Sequence, residues 1–204
     1  MSKIKICGLS RQKDIETVNE YLPDYIGFVF AQGSRRQVDE ETARNLKADL
    51  NPSIKAVGVF VNEAPERIIR LCKSNIIDIV QLHGDEGEEY MKALKYHIPN
   101  QIIKAVRVRN TEDILHAIDL SCDFLLLDTY RENEYGGSGK TFDWSMISDI
   151  SKPYFLAGGI HSDNVLQVIN SYHPYCIDVS SGVETNGVKD AIKIKDIITK
   201  IRSK

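Results

Sequence analysis

A thiol and a carboxyl group stand out in this sequence because each one ends a short apolar strand pattern. Cys7 closes the alternating stretch Lys3–Cys7, whose two isoleucines share the opposite face. Asp128 follows the apolar run at residues 124–127. A thiolate in electropositive surroundings can act as a base, and a carboxyl group in an apolar mouth can act as a general acid. The alternative interpretations are a small buried hydrophobic residue at Cys7 and a turn or helix-cap residue at Asp128.

Two further features, a pair of small-residue turns and a pair of adjacent arginines, could hold an anionic ligand. Two turns follow the last two predicted strands and offer side-chain-free backbone or hydroxyl groups to a phosphate, namely Gly158-Gly159 and Ser180-Ser181-Gly182. Arg35 and Arg36 follow the second strand, and an arginine fork suits a substrate carboxylate. Plain turns and a solvated basic pair are the alternative interpretations.

The elements that must position these residues form eight units of a strand followed by a helix. Strands are predicted at residues 3–7, 25–30, 55–61, 76–82, 101–108, 124–128, 153–157 and 175–180. This alternation is typical of a parallel sheet with helices outside, and eight units favour a closed (β/α)₈ TIM barrel. We expect one domain over residues 1–204, with a doubly wound open sheet as the structural alternative.

The predicted helices follow polar residues that can cap them. We expect caps at Ser10, Asp39, Asn62 and Asn110. Apolar spacing predicts that the buried faces of the helices include Leu22, Leu115, Leu166 and Ile192.

Closure of a barrel makes a specific prediction about its first and last strands. Lys5 shares the face of Cys7, and a lysine that points into a barrel needs a carboxylate. Asp178 lies on the eighth strand, which would adjoin the first, so we predict a Lys5–Asp178 pair. Strands one and six are well apart around the ring, so Cys7 and Asp128 could face a ligand from different sides.

Composition excludes several function classes. A net charge of −3 without a basic run gives no support for binding to nucleic acid or an anionic membrane. The apolar runs are too short for a membrane span, and the amino terminus lacks a signal-peptide core. Four scattered cysteines form no metal-ligand spacing and favour a reduced, cytoplasmic protein. Both a monomer and a homodimer remain open.

The glycine-rich segment at residues 136–141 ends like a nucleotide-binding P-loop. That motif requires a glycine at position 134, where this chain has Glu134. We expect a mobile loop near the barrel mouth instead.

Seven motifs occur in an order that resembles the phosphoribosylanthranilate isomerase family over essentially the whole chain. They are Lys5-Ile6-Cys7-Gly8, Ser34-Arg35-Arg36, Gln81-Leu82-His83-Gly84, Leu127-Asp128, Gly136-Gly137-Ser138-Gly139 with Phe142-Asp143-Trp144, Leu156-Ala157-Gly158-Gly159, and Asp178-Val179-Ser180-Ser181-Gly182-Val183-Glu184. Each motif alone is weak, but the ordered set is specific.

The resemblance implies a (β/α)₈ barrel that rearranges N-(5-phosphoribosyl)anthranilate in tryptophan biosynthesis. It implies Cys7 as the general base, Asp128 as the general acid and Arg36 as the ligand of the anthranilate carboxylate, with Arg35 as the neighbouring alternative. Secondary substrate-site candidates are Gln81, His83, Gly137 and Ser138. No metal or organic cofactor is implied, and the expected partner is a small phosphorylated aminosugar substrate.

Two other functions stay open at this point. A related isomerase of a histidine precursor is expected to carry aspartates at both strand ends and a second phosphate site, unlike this chain. A non-catalytic barrel that binds a phosphorylated ligand would not need both Cys7 and Asp128.

Overall fold

A computed structural model describes residues 2–129, 144–147 and 150–203 and shows a closed barrel of eight parallel strands. The strands neighbour one another in chain order, and β8 closes the ring against β1. Their bounds are β1 Lys3–Cys7, β2 Tyr25–Val29, β3 Lys55–Phe60, β4 Ile79–Leu82, β5 Gln101–Val108, β6 Phe124–Thr129, β7 Tyr154–Leu156 and β8 Cys176–Val179. The predicted TIM barrel is therefore confirmed.

Seven α-helices are described around the barrel. They are α1 Gln12–Tyr21, α2 Glu40–Ala48, α3 Pro65–Lys73, α4 Glu88–His97, α5 Thr111–Ile118, α6 Val165–Tyr172 and α7 Ala191–Arg202. Between β6 and β7, the described residues contain a 3₁₀ turn at Trp144–Met146. None of the described helices has the length and apolar character needed to cross a membrane.

Each strand presents one face to the helices and the other to the barrel interior, as the alternating pattern of β1 predicts. Ile4 and Ile6 pack into the large core between strands and helices. Lys5 and Cys7 point inward, where a second core fills the barrel. Aromatic rings dominate that inner core near the amino-terminal ends of the strands. They include Tyr25, Phe124, Phe155 and Tyr175.

Closure of the ring brings Lys5 and Asp178 into the same register on neighbouring strands. Their side chains meet inside the barrel, with Lys5 Nζ 3.0 Å from Asp178 Oδ1. Lys5 is completely buried, so the ammonium group has no access to solvent. The predicted pair is confirmed.

Two of the four predicted helix caps are wrong. Arg11, not Ser10, precedes α1, and the Asp14 carboxylate accepts the backbone N–H groups of both residues. Ala64 precedes α3, whereas Asn62 has a left-handed backbone and accepts a hydrogen bond from the next loop. Pro65 can start that helix because its missing N–H would have no helical partner. The caps at Asp39 and Asn110 are confirmed.

Four leucine and isoleucine side chains predicted to be buried are exposed instead, namely Leu22, Leu115, Leu166 and Ile192. Leu22 follows the end of α1 in a left-handed conformation, so it has left the buried face of that helix. Ile192 is 79% exposed because α7 buries a stripe three and four residues apart that excludes it. That stripe consists of Ile194, Ile197, Ile198 and Ile201.

Candidate active site

The Cys7 thiol lies at the carboxyl end of β1 on the inner face of the barrel, as predicted. It is 8% exposed and packs in a small apolar cluster with Val29 and Val59. The neighbouring strand approaches so closely that a Cβ on Gly27 would lie 2.7 Å from the Cys7 sulfur. Gly27 therefore leaves the space that the thiol occupies.

Two buried lysines oppose the effect of burial on this thiol. Desolvation raises the pKa of Cys7, while the positive charges of Lys5 and Lys189 lower it. The nearby Asp178 carboxylate raises it, and the net result is a pKa above the ordinary value. The electropositive surroundings expected from Lys5 are present, but burial outweighs them.

The Asp128 carboxyl group lies at the carboxyl end of β6, where it is buried beside His83 of the β4 end. His83 Nε2 is 3.4 Å from Asp128 Oδ2, and Gln81 Nε2 is 2.9 Å from His83 Nδ1. His83 Nε2 and Gln81 Oε1 are buried and make no hydrogen bond among the described residues. The proximity of His83 to Asp128 is thus an ion-pair distance without hydrogen-bond geometry. Gln81, His83 and Asp128 form a row of polar groups at the barrel mouth.

Arg36 reaches the mouth from the loop after β2 and lies over the turn that follows Cys7. A Cβ on Gly8 would lie 2.4 Å from Arg36 Cδ, so only glycine leaves room for this side chain. The guanidinium donates from Nε to Glu184 Oε1 at 2.6 Å and from Nη2 to Glu184 Oε2 at 2.9 Å. The arginine predicted to bind a substrate carboxylate therefore contacts a protein carboxylate along one edge of its guanidinium.

Arg35 also contacts Glu184, but from the outside. Its Nη2 donates to Glu184 Oε2 at 2.9 Å, and its side chain is 57% exposed, against 12% for Arg36. Gly187 lies beneath this guanidinium. Of the two arginines, Arg36 is the one enclosed at the mouth.

The two turns predicted to bind phosphate lie against each other. Gly158 and Gly159 both have positive φ angles, a conformation that favours glycine. A Cβ on Gly182 would lie 2.0 Å from the backbone oxygen of Ile160, which shows how closely the turn after β8 packs on the turn after β7. Ser180 links this region to the thiol, because its Oγ donates to the Cys7 backbone oxygen at 3.1 Å.

Ser181 and Gly182 belong to a 3₁₀ turn, Ser181–Val183, which leads into a hairpin formed by β9 Glu184–Thr185 and β10 Val188–Lys189. This hairpin carries two buried charged residues that the sequence analysis did not identify as site residues, Glu184 and Lys189. Glu184 occurs in the motif used for the resemblance, but its role depends on contacts with a distant loop. Lys189 gave no signal in the sequence.

The remaining candidates, Gly137 and Ser138, lie outside the described residues, as does the whole segment at 130–143. Across the part of the chain that is described, no group of three histidine, cysteine or acidic side chains has metal-binding geometry.

A separate open groove of about 540 Å³ lies beside the mouth, between the turn after β4 and α5. Its charged side chains form ion pairs with one another, including Lys104 with Glu86 at 3.1 Å and Arg109 with Asp113 at 2.8 Å. Neither Cys7 nor Arg36 lines it. The groove is therefore distinct from the site built around the thiol.

Comparison with known proteins bears on the whole chain. A family model described as N-(5'-phosphoribosyl)anthranilate (PRA) isomerase matches residues 4–200. The chain belongs to this family.

Relatives in the phosphoribosylanthranilate isomerase family match in both sequence and structure. The N-(5'-phosphoribosyl)anthranilate isomerase of Endomicrobium trichonymphae is 48% identical over 203 residues, with all of both chains covered. The crystal structure of the Thermotoga maritima phosphoribosyl anthranilate isomerase has a TM-score of 0.89 and 36% identity, again with full coverage of both chains. Another structure of such an isomerase, in complex with reduced 1-(o-carboxyphenylamino)-1-deoxyribulose 5-phosphate, has a TM-score of 0.86 and 35% identity over both full chains. The family and the isomerase class expected from the sequence are confirmed.

Proposed function

We propose that this protein converts N-(5-phosphoribosyl)anthranilate to 1-(2-carboxyphenylamino)-1-deoxyribulose 5-phosphate in tryptophan biosynthesis, with Asp128 as general acid and Cys7 as general base. Membership of the family supports the reaction. The observation that carries the assignment of roles is that a thiol, a carboxyl group, an enclosed arginine and two glycine-lined turns share one rim of the barrel. That rim is formed by the carboxyl ends of the strands, where barrel enzymes keep their chemistry.

The first step in this proposal is opening of the ribose ring. Asp128 in its acid form donates a proton to the ring oxygen while the bond between that oxygen and C1 breaks. The lone pair of the anilino nitrogen forms the C=N bond of an iminium ion. Asp128 is left as a carboxylate at the buried mouth.

The second step removes the proton from C2. The Cys7 thiolate takes this proton, and the electrons of the C–H bond form a C1=C2 double bond as the iminium becomes an enolamine. Tautomerisation then moves a proton from the C2 hydroxyl to C1 and leaves the ketone. Loss of the proton from the Cys7 thiol to solvent and uptake of one by the Asp128 carboxylate restore both groups for the next turnover. The iminium is itself the electron sink, so the chemistry needs no further cofactor.

His83 and Gln81 have a place in the first step. The Gln81 amide nitrogen faces His83 Nδ1, which selects the tautomer with hydrogen on Nε2. Nε2 lies 3.4 Å from Asp128 Oδ2 without hydrogen-bond geometry, so the imidazole packs beside the carboxyl group that we propose as the acid. His83 is thus a positioning residue for the proposed acid.

The two anionic ends of the substrate would be held at different parts of the rim. The turns at Gly158-Gly159 and Ser180-Ser181-Gly182 offer backbone N–H and hydroxyl groups to the phosphate. Arg36 offers guanidinium N–H groups to the anthranilate carboxylate. Binding at both ends fixes C2 relative to the thiolate, so the two reacting groups are already in place when the proton is transferred. The relative bound to a reduced carboxyphenylamino-deoxyribulose phosphate supports a ligand of this kind.

Turnover of freshly prepared N-(5-phosphoribosyl)anthranilate, followed by the loss of its fluorescence, tests the assignment. Replacing Cys7 or Asp128 by alanine should lower kcat by about 10²- to 10⁴-fold, the usual contribution of a general acid or base. Cys72→Ala is the matched control, because that buried thiol lies on α3 away from the mouth.

Near-normal rates in both variants would refute the roles proposed for them. Complementation of a strain that lacks the tryptophan-pathway isomerase tests the reaction independently. Turnover of the aminoimidazole ribotide substrate alone would favour the histidine-precursor isomerase, and ligand binding without turnover in reduced protein would favour a binding function.

A further inference from the structure

The buried Glu184 carboxylate lies among several basic side chains next to the mouth. Its carboxylate is 4% exposed and accepts hydrogen bonds from Arg36, Arg35 and Lys189. The Lys193 ammonium contacts the Glu184 backbone oxygen at 2.7 Å. One acidic side chain thus organises several basic ones.

The contact with Arg36 uses one specific edge of the guanidinium. Glu184 accepts from Nε and Nη2, which together form the side edge of the arginine fork. Among the residues that the structure describes, Arg36 Nη1 has no acceptor. The end edge, formed by the two terminal nitrogens, therefore retains N–H groups that can donate to a second carboxylate.

We propose that Glu184 is the positioning residue that directs this end edge of Arg36 toward the substrate carboxylate, and that Lys189 holds Glu184 in place. The inference rests on the proposed function and names the residues that set its carboxylate specificity. Two charge-assisted hydrogen bonds on one edge restrict rotation of a long side chain that otherwise has many rotamers. Arg36 is then ordered before the substrate arrives.

Lys189 has the contacts needed to fix Glu184. Its Nζ donates to Glu184 Oε1 at 2.7 Å and to the Ser180 backbone oxygen at 2.9 Å. Ser180 in turn donates to the Cys7 backbone oxygen. Lys189 therefore connects the Glu184–Arg36 pair to the turn proposed to bind phosphate and, through Ser180, to the strand that carries the thiol.

Glu184 itself does not touch the substrate in this arrangement, so its effect should depend on the ligand carboxylate. We would compare two stable ligands by calorimetry: reduced 1-(o-carboxyphenylamino)-1-deoxyribulose 5-phosphate and its phenylamino counterpart without the carboxylate. Glu184→Gln should weaken binding of the first by about 10- to 100-fold, as expected for loss of hydrogen bonds to a charged group. Binding of the second should change by less than about threefold.

A double-mutant cycle shows whether Glu184 acts through Arg36. If it does, Glu184→Gln combined with Arg36→Met should bind the carboxylated ligand no more weakly than Arg36→Met alone. Lys189→Met should show a smaller loss with the same preference for the carboxylated ligand. Glu184→Gln with Lys189→Met avoids an unpaired buried lysine, which keeps the test usable if the single variant folds poorly. Glu40→Gln is the matched control, because Glu40 also contacts two arginines but lies on the outer helices.

Equal losses for both ligands, or full additivity in the cycle, would overturn the role of Glu184. Loss of the carboxylate preference in Arg35→Met, with the preference retained in Glu184→Gln, would also overturn it. A wild-type protein that binds both ligands equally, or turns over no phosphoribosylanthranilate, would instead count against the proposed function.

Discussion

Replacing Lys5 by methionine tests how much the buried Lys5–Asp178 pair contributes to the barrel. The two charges lie 3.0 Å apart, with side chains 0% and 8% exposed, so the variant leaves the Asp178 carboxylate without its cation. Breaking a buried pair in this way costs about 3–5 kcal/mol, against a total stability of about 5–15 kcal/mol. With a urea dependence of about 2 kcal/mol per molar, the unfolding midpoint should fall by about 2 M.

The pH of the measurement follows from the direction of the Lys5 pKa shift. Burial lowers the pKa of Lys5, but Asp178 and Cys7 raise it more, so the folded value lies above the ordinary 10.5. A raised pKa means that the stabilisation is fully present below the unfolded value and is lost only as the pH rises through the folded value. Urea unfolding followed by circular dichroism at pH 7 therefore reports the whole contribution.

Two controls make the Lys5 result specific. Replacing Lys5 by methionine together with Asp178 by leucine removes both charges and should recover most of the loss. Lys47→Met breaks a pair of similar length with Asp78, but both side chains are about one-quarter exposed, so about 1 kcal/mol or less is expected. The reasoning is refuted if Lys5→Met stays within about 1 kcal/mol of the wild type, or if the double variant is no more stable than the single one.

Three further predictions concern the glycines and the acidic centre of the site. Gly27→Ala places a Cβ 2.7 Å from the Cys7 sulfur and forces the thiol to move, so kcat should fall by at least about tenfold and the rate of thiol alkylation should change, as rapid kinetics with iodoacetamide would show. Gly182→Ala should push apart the two turns that we propose as the phosphate site, and the inhibition constant of inorganic phosphate should rise by at least about tenfold. Burial raises the pKa of Glu184, but Arg36 and Lys189 lower it more, so the folded value lies below the ordinary 4.5. The stabilisation is then present above about pH 4.5, and the stability difference between the wild type and Glu184→Gln should be constant from pH 5 to 8 and shrink in acid.

The strands were predictable because alternation and apolar runs report directly on burial. The bounds of β1 and β5 agree with the prediction at both ends. The fourth strand is predicted from Ile76 but begins at Ile79. Asn75 turns the chain with a positive φ, and the Ile76 N–H donates a hydrogen bond back to α3. Ile76 and Ile77 therefore belong to the turn that follows α3, although both side chains are buried. Apolar composition alone does not distinguish these two uses of a buried isoleucine.

The rim positions of Cys7 and Asp128 could also be predicted, because each follows its own strand in the sequence. The partners of these groups could not. His83 reaches Asp128 across β5, and Glu184 reaches Arg36 from a hairpin about 150 residues further along the chain. Such contacts depend on barrel closure and on side-chain reach. The Lys5–Asp178 pair is the exception, because closure places the first and last strands side by side.

The hairpin of β9 and β10 shows a related limit. Its strands are two residues each, too short for an alternating pattern to be visible. Its charged residues are buried only because they neutralise one another, and charge in a sequence ordinarily indicates exposure.

The raised pKa of the buried Cys7 thiol has two opposite effects on its proposed role as a base at neutral pH. A raised pKa reduces the fraction of thiolate, yet a thiolate with a higher pKa takes a proton from carbon with a greater driving force. The positive charges of Lys5 and Lys189 limit the loss of thiolate. The pKa still lies above its ordinary value, so the greater driving force for proton removal is retained. Lys5→Met should therefore shift the rising limb of the pH–rate profile for kcat/KM to higher pH, while its rate at the alkaline plateau matches or exceeds that of the wild type. A variant with an unshifted limb and a uniformly lower plateau would show that Lys5 supports the fold around Cys7 and not its ionisation.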